Sequence, residues 1–183
     1  MLKKISEWIL AWINKEPKTF LIIKFIGLYG SLRAIYHFML VPNHEVMNHF
    51  LGLYTSIVTK IAHDILKLPI EAIKLEQGIG LWFDEYLMLV VDATCSAGVI
   101  YILFISLMLL FRKFHRQMIP YLLVGILGIF IINTLRIGVV TYVLKFHTVY
   151  FDLFHNYLFL YFIYLFVFYI WYKWYKAYNR LMS

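Results

Sequence analysis

Residues 118–144 carry one charged side chain, Arg136, in a largely apolar run. As a helix rising about 1.5 Å per residue this run is roughly 40 Å long. The hydrocarbon core of a bilayer is only about 30 Å thick, so such a helix must tilt or emerge. Three further apolar runs accompany it. Residues 19–41 stop at Pro42-Asn43 and contain Lys24 and Arg33; residues 97–111 are short unless 90–96 extend them; residues 156–171 end at Lys173. With 63% hydrophobic and 20% aromatic residues, the chain is excluded from the class of ordinary soluble domains. The expected fold class is an all-α polytopic membrane protein: about four transmembrane helices, an amphipathic interfacial helix and an outer loop, forming a single integral membrane domain over 1–183.

The segment 43–92 differs in character from these spans. Residues 46–66 place Met47, Phe50, Leu51, Tyr54, Ile57, Val58, Ile61 and Ile65 at helical spacing, opposite Thr55, Ser56, Thr59, Lys60, His63 and Asp64. That pattern predicts an amphipathic helix at the interface or against the bundle. After Pro69, apolar and polar residues partly alternate around Gly78 and Gly80, which predicts a short hairpin or an extended loop leading to Cys95. Residues 1–18, charged and carrying Trp8 and Trp12, read as an interfacial helix at the cytoplasmic surface rather than a cleavable signal.

Charge sets the expected orientation. Lys3, Lys4, Lys15 and Lys18, then Arg112, Lys113 and Arg116, then Lys173, Lys176 and Arg180 mark three cytoplasmic regions by the positive-inside rule. Eight acids, Glu45, Asp64, Glu71, Glu76, Asp84, Glu85, Asp92 and Asp152, fall in 43–92 or between the last two spans. Both termini are therefore expected in the cytoplasm of a cell that carries the chain in its plasma or inner membrane, with 43–92 outside and a transmembrane core over 93–172. The net charge of +7 is dispersed among the spans, without a basic arm for nucleic acid. One cysteine and no Cys/His framework leave no metal or organic cofactor implied.

This topology brings Cys95, Arg136 and His155 to the outer side, Arg136 roughly 12 Å below the end of its span by helical rise. An ionisable side chain inside a span is costly and marks a functional hypothesis by default. The chemistry such a trio supports is acyl transfer: a thiolate nucleophile, a histidine acid/base and a guanidinium that stabilises thiolate and oxyanion. Small residues Ser96, Ala97 and Gly98 would admit a substrate backbone. The competing reading makes Cys95 a packing residue and Arg136 an ion-pair partner of Asp92 or Asp152. His147, His49 and His63 compete with His155 for the base. Lys24 and Arg33 are expected to snorkel or to complete internal ion pairs.

"CSAG" at 95–98, "NTLRI" at 133–137 and the histidine of "DLFHNYLF" at His155 resemble the three ordered signatures of the exosortase/archaeosortase family of membrane transpeptidases. The likeness covers roughly the second half of the chain, whose short length is similar to the compact exosortases of the Bacteroidetes group. Ala97 stands where many members have glycine, and no glycine follows His155 within a turn. The resemblance implies cleavage, outside the membrane, of a C-terminal sorting signal on a membrane-anchored precursor protein through a cysteine acyl-enzyme. Cys95 would be the nucleophile, Arg136 the stabiliser and His155 the acid/base, with Asn133, Ser96 and Asp92 toward the substrate. The rival from another class is a non-enzymatic component of an envelope export or polysaccharide assembly system; a small channel or transporter is a third reading, against which stands the lack of an inverted repeat.

Overall fold

The computed structural model describes residues 17–110 and 116–182. The interfacial helix expected over 1–18 lies outside them except for its last residues, as does most of the basic 112–116 loop. The described chain is mostly helical, and three of its helices are long and apolar enough to cross a membrane: Thr19–Leu40, Met118–Phe146 and Thr148–Arg180.

Helix α1, Pro17–Ile35, continues as a π-helical turn over Tyr36–Leu40. Asn43 then opens α2, His44–Asp64, its side chain accepting from the Val46 N–H at 3.2 Å. The buried stripe of α2 is Met47, Leu51, Tyr54, Thr55, Val58 and Ala62. This corrects the expected face: Ile57, Ile61 and Ile65 are exposed, while Thr55 is buried with its hydroxyl donating to the Leu51 carbonyl at 3.1 Å. The helix is apolar on both flanks, so hydropathy alone does not fix its rotation, and packing against its neighbours does.

The expected short hairpin or extended loop is a three-stranded antiparallel meander, β1 Ile70–Leu75, β2 Gly78–Phe83 and β3 Tyr86–Val91. The chain is therefore not all-α. Ile70 faces Phe83, Leu75 faces Gly78 and Ile79 faces Val91. A bulge between Leu81 and Trp82 shifts the register and skips Met88. Gly78 has φ +154, and a Cβ there would meet the Val91 carbonyl oxygen at 2.6 Å, so only glycine starts this strand without displacing β3.

Helix α3, Gly98–Met108, has 11 residues, about 16 Å of rise, well short of a bilayer crossing. Lys24 resolves what that short helix leaves open: its Nζ donates to the carbonyls of Leu110 at 2.9 Å and Leu109 at 3.2 Å. The lysine of α1 thus satisfies carbonyls at the end of α3 that have no partner in their own helix. Arg33 lies with its guanidinium 5.9 Å from the Tyr36 ring centre, a cation–π contact. Helix α4 is Met118–Phe146; α5, Phe159–Met182, follows a π-helical segment, Leu153–Leu158. One stripe of α5, Ile163, Val167, Ile170 and Trp174, is buried.

Two cores result. One joins α2, the sheet and Tyr36 with Cys95 and Ile137; the other joins Ala97, Phe104 and Met108 of the α3 side with Ile129, Val167 and Trp174. Cys95 and Ala97 fall on opposite sides of that division, so the turn between them sits at the junction of the two cores.

Candidate active site

Between β3 and α3 lies one turn of 3₁₀ helix, Ala93–Ser96. Asp92 caps it, its Oδ1 accepting from the Thr94 N–H at 2.8 Å and the Thr94 hydroxyl at 2.6 Å. Ser96 locks it: its hydroxyl donates to the Ala93 carbonyl at 2.7 Å and accepts from the Gly98 N–H at 3.1 Å, with the Tyr36 hydroxyl 2.8 Å away. Tyr54 donates to the Ser96 carbonyl at 3.2 Å and lies 3.0 Å from the Tyr101 hydroxyl. Asp92 and Ser96, expected near a substrate, are thus both engaged in building the turn that carries Cys95.

Ala97 leaves the turn in the left-handed region, φ +56, ψ 14, where glycine is favoured. Gly98 is held by its neighbour: a Cβ on it would lie 2.5 Å from the Tyr36 ring and hydroxyl. Its smallness serves the contact with α1.

From α4, Asn133 reaches this turn and Arg136 lies within its electrostatic reach. The Asn133 Nδ2 donates to the Cys95 carbonyl at 2.7 Å, and Asn133 is fully buried. Arg136, one turn further, is 7% exposed and donates through a terminal nitrogen to the His155 carbonyl at 3.1 Å. Its Nε is buried without a hydrogen-bond partner, as is the Asn133 Oδ1. Among the described residues no carboxylate lies within ion-pair distance of Arg136. The pairing of Arg136 with Asp92 or Asp152 that the competing reading expects is therefore absent; the titratable group within its electrostatic reach is Cys95.

Cys95 is buried and part of the core built by α2, the sheet and Tyr36. Burial pushes its thiol pKa up; the backbone of Asp92 and the positive charge of Arg136 act in the opposite sense on the thiol, without cancelling the burial. The resting thiol is therefore protonated at neutral pH, and a base must take its proton before it attacks anything.

His155 is held by its backbone to Arg136, while its ring stacks on Phe151 with centres 5.0 Å apart. Its Nδ1 lies 2.9 Å from Asn156 Oδ1, and the Asn156 Nδ2 donates to Asp152 at 3.3 Å. The Asp152 acceptor orients the amide, so Asn156 presents its oxygen to Nδ1–H and leaves Nε2 as the basic nitrogen. His147 sits elsewhere, exposed at the end of α4, its ring 6.4 Å from that of Tyr142. His49 and His63 are exposed on α2. The structure thus brings His155, and not His147, to Arg136; no hydrogen bond joins the His155 ring to Cys95 among the described residues.

Beside the turn opens an apolar cavity of about 620 Å³ among α1, α2, α3 and α4, with Tyr36, Met47, Ser96, Tyr101, Ile105 and Phe130 in its wall. Sequence reasoning missed Tyr36, Tyr54 and Tyr101. Each lies in an apolar run, where a tyrosine reads as packing or interfacial belt; the usable signal was that a buried hydroxyl needs a partner. Two π-helical stretches hold site residues, Tyr36 in one and His155 in the other. Among the described residues no group of three His, Cys, Asp or Glu gathers as a metal site. The chain matches no family model, no curated protein and no solved structure.

Proposed function

We propose that this chain is an exosortase-like membrane cysteine transpeptidase or protease, with α1, α4 and α5 crossing the plasma or inner membrane, the short α3 inserted beside them and Cys95 toward the outer side. The observation that carries the reading is the buried guanidinium of Arg136, which has no carboxylate partner, an unused Nε donor and the lone thiol as its titratable neighbour. A structural arginine in a span is expected to have its charge paired. One that keeps a donor free beside a cysteine suits a negative charge that exists only during reaction.

In the proposed reaction His155 Nε2 accepts the Cys95 proton as the sulfur attacks the carbonyl carbon of the precursor's scissile bond. The oxyanion that forms is met by Arg136. Collapse of the tetrahedral adduct breaks the C–N bond, and His155 returns the proton to the leaving amine. An acceptor amine or water then attacks the thioester, giving up a proton to His155; the C–S bond breaks and His155 returns that proton to the Cys95 sulfur. The precursor's apolar tail helix would lie against the cavity beside the turn, fixing the scissile bond at one depth.

The test is processing of a precursor that ends in a short motif, an apolar helix and a basic tail, in cells expressing the chain. Cys95→Ser is expected to stop processing while the protein stays inserted and folded; normal processing by that variant ends the enzyme reading. One observation favours the non-enzymatic alternative, an envelope export or assembly subunit: Cys95 packs within a core, and burial keeps its thiol protonated. In that case Cys95→Ala retains the biological function and the native thiol resists alkylation at every pH at which the fold persists.

A further inference from the structure

We infer that the free edge of β3 is the seat for the extended stretch of the precursor that precedes its membrane helix, held there by main-chain pairing. This rests on the transpeptidase reading and names how the substrate would be aligned.

The sheet has two edges, and they are built differently. Along β1 stand Glu71 and Lys74, exposed charges of the kind that keep a foreign strand from pairing. Its backbone is also partly used, since Ile70 donates to the Leu68 carbonyl at 2.9 Å and the Leu75 carbonyl accepts from Asn48 Nδ2 at 3.1 Å. The other edge, β3, reads Tyr86-Leu-Met-Leu-Val-Val91 and has no charge, no proline and no glycine. Among the described residues no backbone hydrogen bond joins β3 to anything but β2. Unused N–H and C=O groups in a row recognise another polypeptide backbone, which is why the occupant is an extended peptide.

Side chains beside this edge offer a floor for it. Leu87 and Val90, paired with Trp82 and Gly80, are exposed on the face of the sheet away from α2. The Trp82 indole folds over Gly80, so close that a Cβ there would lie 2.8 Å from its Nε1. An added strand would set alternate side chains beside Leu87 and Val90. The bulge at Met88 bends β3 midway.

Position makes the edge relevant to Cys95. Val91 is followed at once by Asp92 and the turn that carries the thiol, so a strand lying along β3 ends beside it. A precursor entering the membrane from outside runs in the same direction as β3 into α3, and the pairing would be parallel. The chemistry fits an uncharged extended stretch, since a charge opposite Leu87 or Val90 would be set against apolar side chains.

The test uses the full-length protein in lipid nanodiscs and a synthetic peptide with an uncharged, threonine- and valine-rich stretch, an apolar helix and a lysine tail. N-methylation of alternate amides in the stretch removes main-chain donors without touching the protein. Methylation in one register is expected to weaken binding by about tenfold or more, the loss of two backbone hydrogen bonds, and in the other register to leave it unchanged. Leu87→Lys is expected to weaken binding similarly, and Ile73→Lys on the opposite edge to leave it unchanged. Equal effects of both registers, full binding by Leu87→Lys, failure of the peptide to bind the native protein, or loss of self-association in Leu87→Lys with peptide binding intact would each overturn the proposal. Cys95→Ser is expected to bind the peptide as the native protein does; its effect on processing bears on the enzyme reading alone, so the two proposals fail separately.

Discussion

Arg136 on α4 holds the carbonyl of His155 at 3.1 Å, tying the start of the last long helix to the residue that lies in electrostatic reach of the Cys95 thiol. One guanidinium therefore both fixes the segment that bears the histidine and keeps a second donor in reserve. Its removal has two separable consequences, one on charge and one on position.

Arg136→Gln is expected to lower precursor processing by about 10²–10³-fold, the usual cost of one oxyanion donor. Arg136→Lys should restore little of it, because an ammonium cannot present the same planar fork. Steady-state processing rates check both, and a near-normal rate in Arg136→Gln contradicts the assigned role.

Alkylation of Cys95 should be slow at neutral pH and rise with pH, since burial lifts the thiol above its ordinary range. In Arg136→Gln the rise should move to still higher pH, because the opposing positive charge is gone. The stability sign follows from the same shift: the folded protein holds the thiol proton more tightly than the unfolded chain. Stability from this group is then flat below the ordinary thiol pKa and falls as pH climbs above it. Alkylation kinetics in membranes and unfolding at alkaline pH, each against Cys95→Ala, give the readouts.

Asn156→Ala should lower the processing rate more than substrate binding, since it removes the partner of His155 Nδ1 and frees the ring to take the other tautomer. The pH profile should shift in that variant. A merely structural Asn156 would change stability and leave the profile in place.

Ala97→Gly is expected to stabilise the protein by about 1 kcal/mol, because φ +56 costs an L-residue strain that glycine avoids. Gly98→Ala should do the reverse and more, forcing Tyr36 out of the turn it binds. Thermal unfolding in a fixed detergent measures both, and equal stability of the two variants would contradict the geometry of the turn.

Lys24→Met is expected to destabilise by about 1 kcal/mol through loss of the cap on α3, although methionine is the more apolar residue in a span. An unchanged or raised unfolding temperature would return Lys24 to the status of a snorkelling side chain.

Sequence alone determined that the chain carries membrane-length apolar helices, because mean hydropathy and run length are local and additive quantities. It also located the amphipathic α2 and singled out Cys95, Arg136 and His155 by their residue types in apolar surroundings, while Asn133 entered through the family resemblance. What it could not decide was geometry that depends on partners distant in the chain. The rotation of α2 followed from packing against α4 and the sheet, which buried Thr55 and left Ile57 exposed. A loosely alternating stretch became a sheet only because β1, β2 and β3 pair with one another over Leu51, Tyr54 and Val58. Lys24 looked like a charge in need of an anion, and it found the carbonyls at the end of a helix 85 residues away. Likewise Arg136 offered acids as partners by sequence, and the tertiary structure gave it a carbonyl and a thiol instead. A hydrogen-bond partner is chosen by distance and direction in space, which no local pattern encodes.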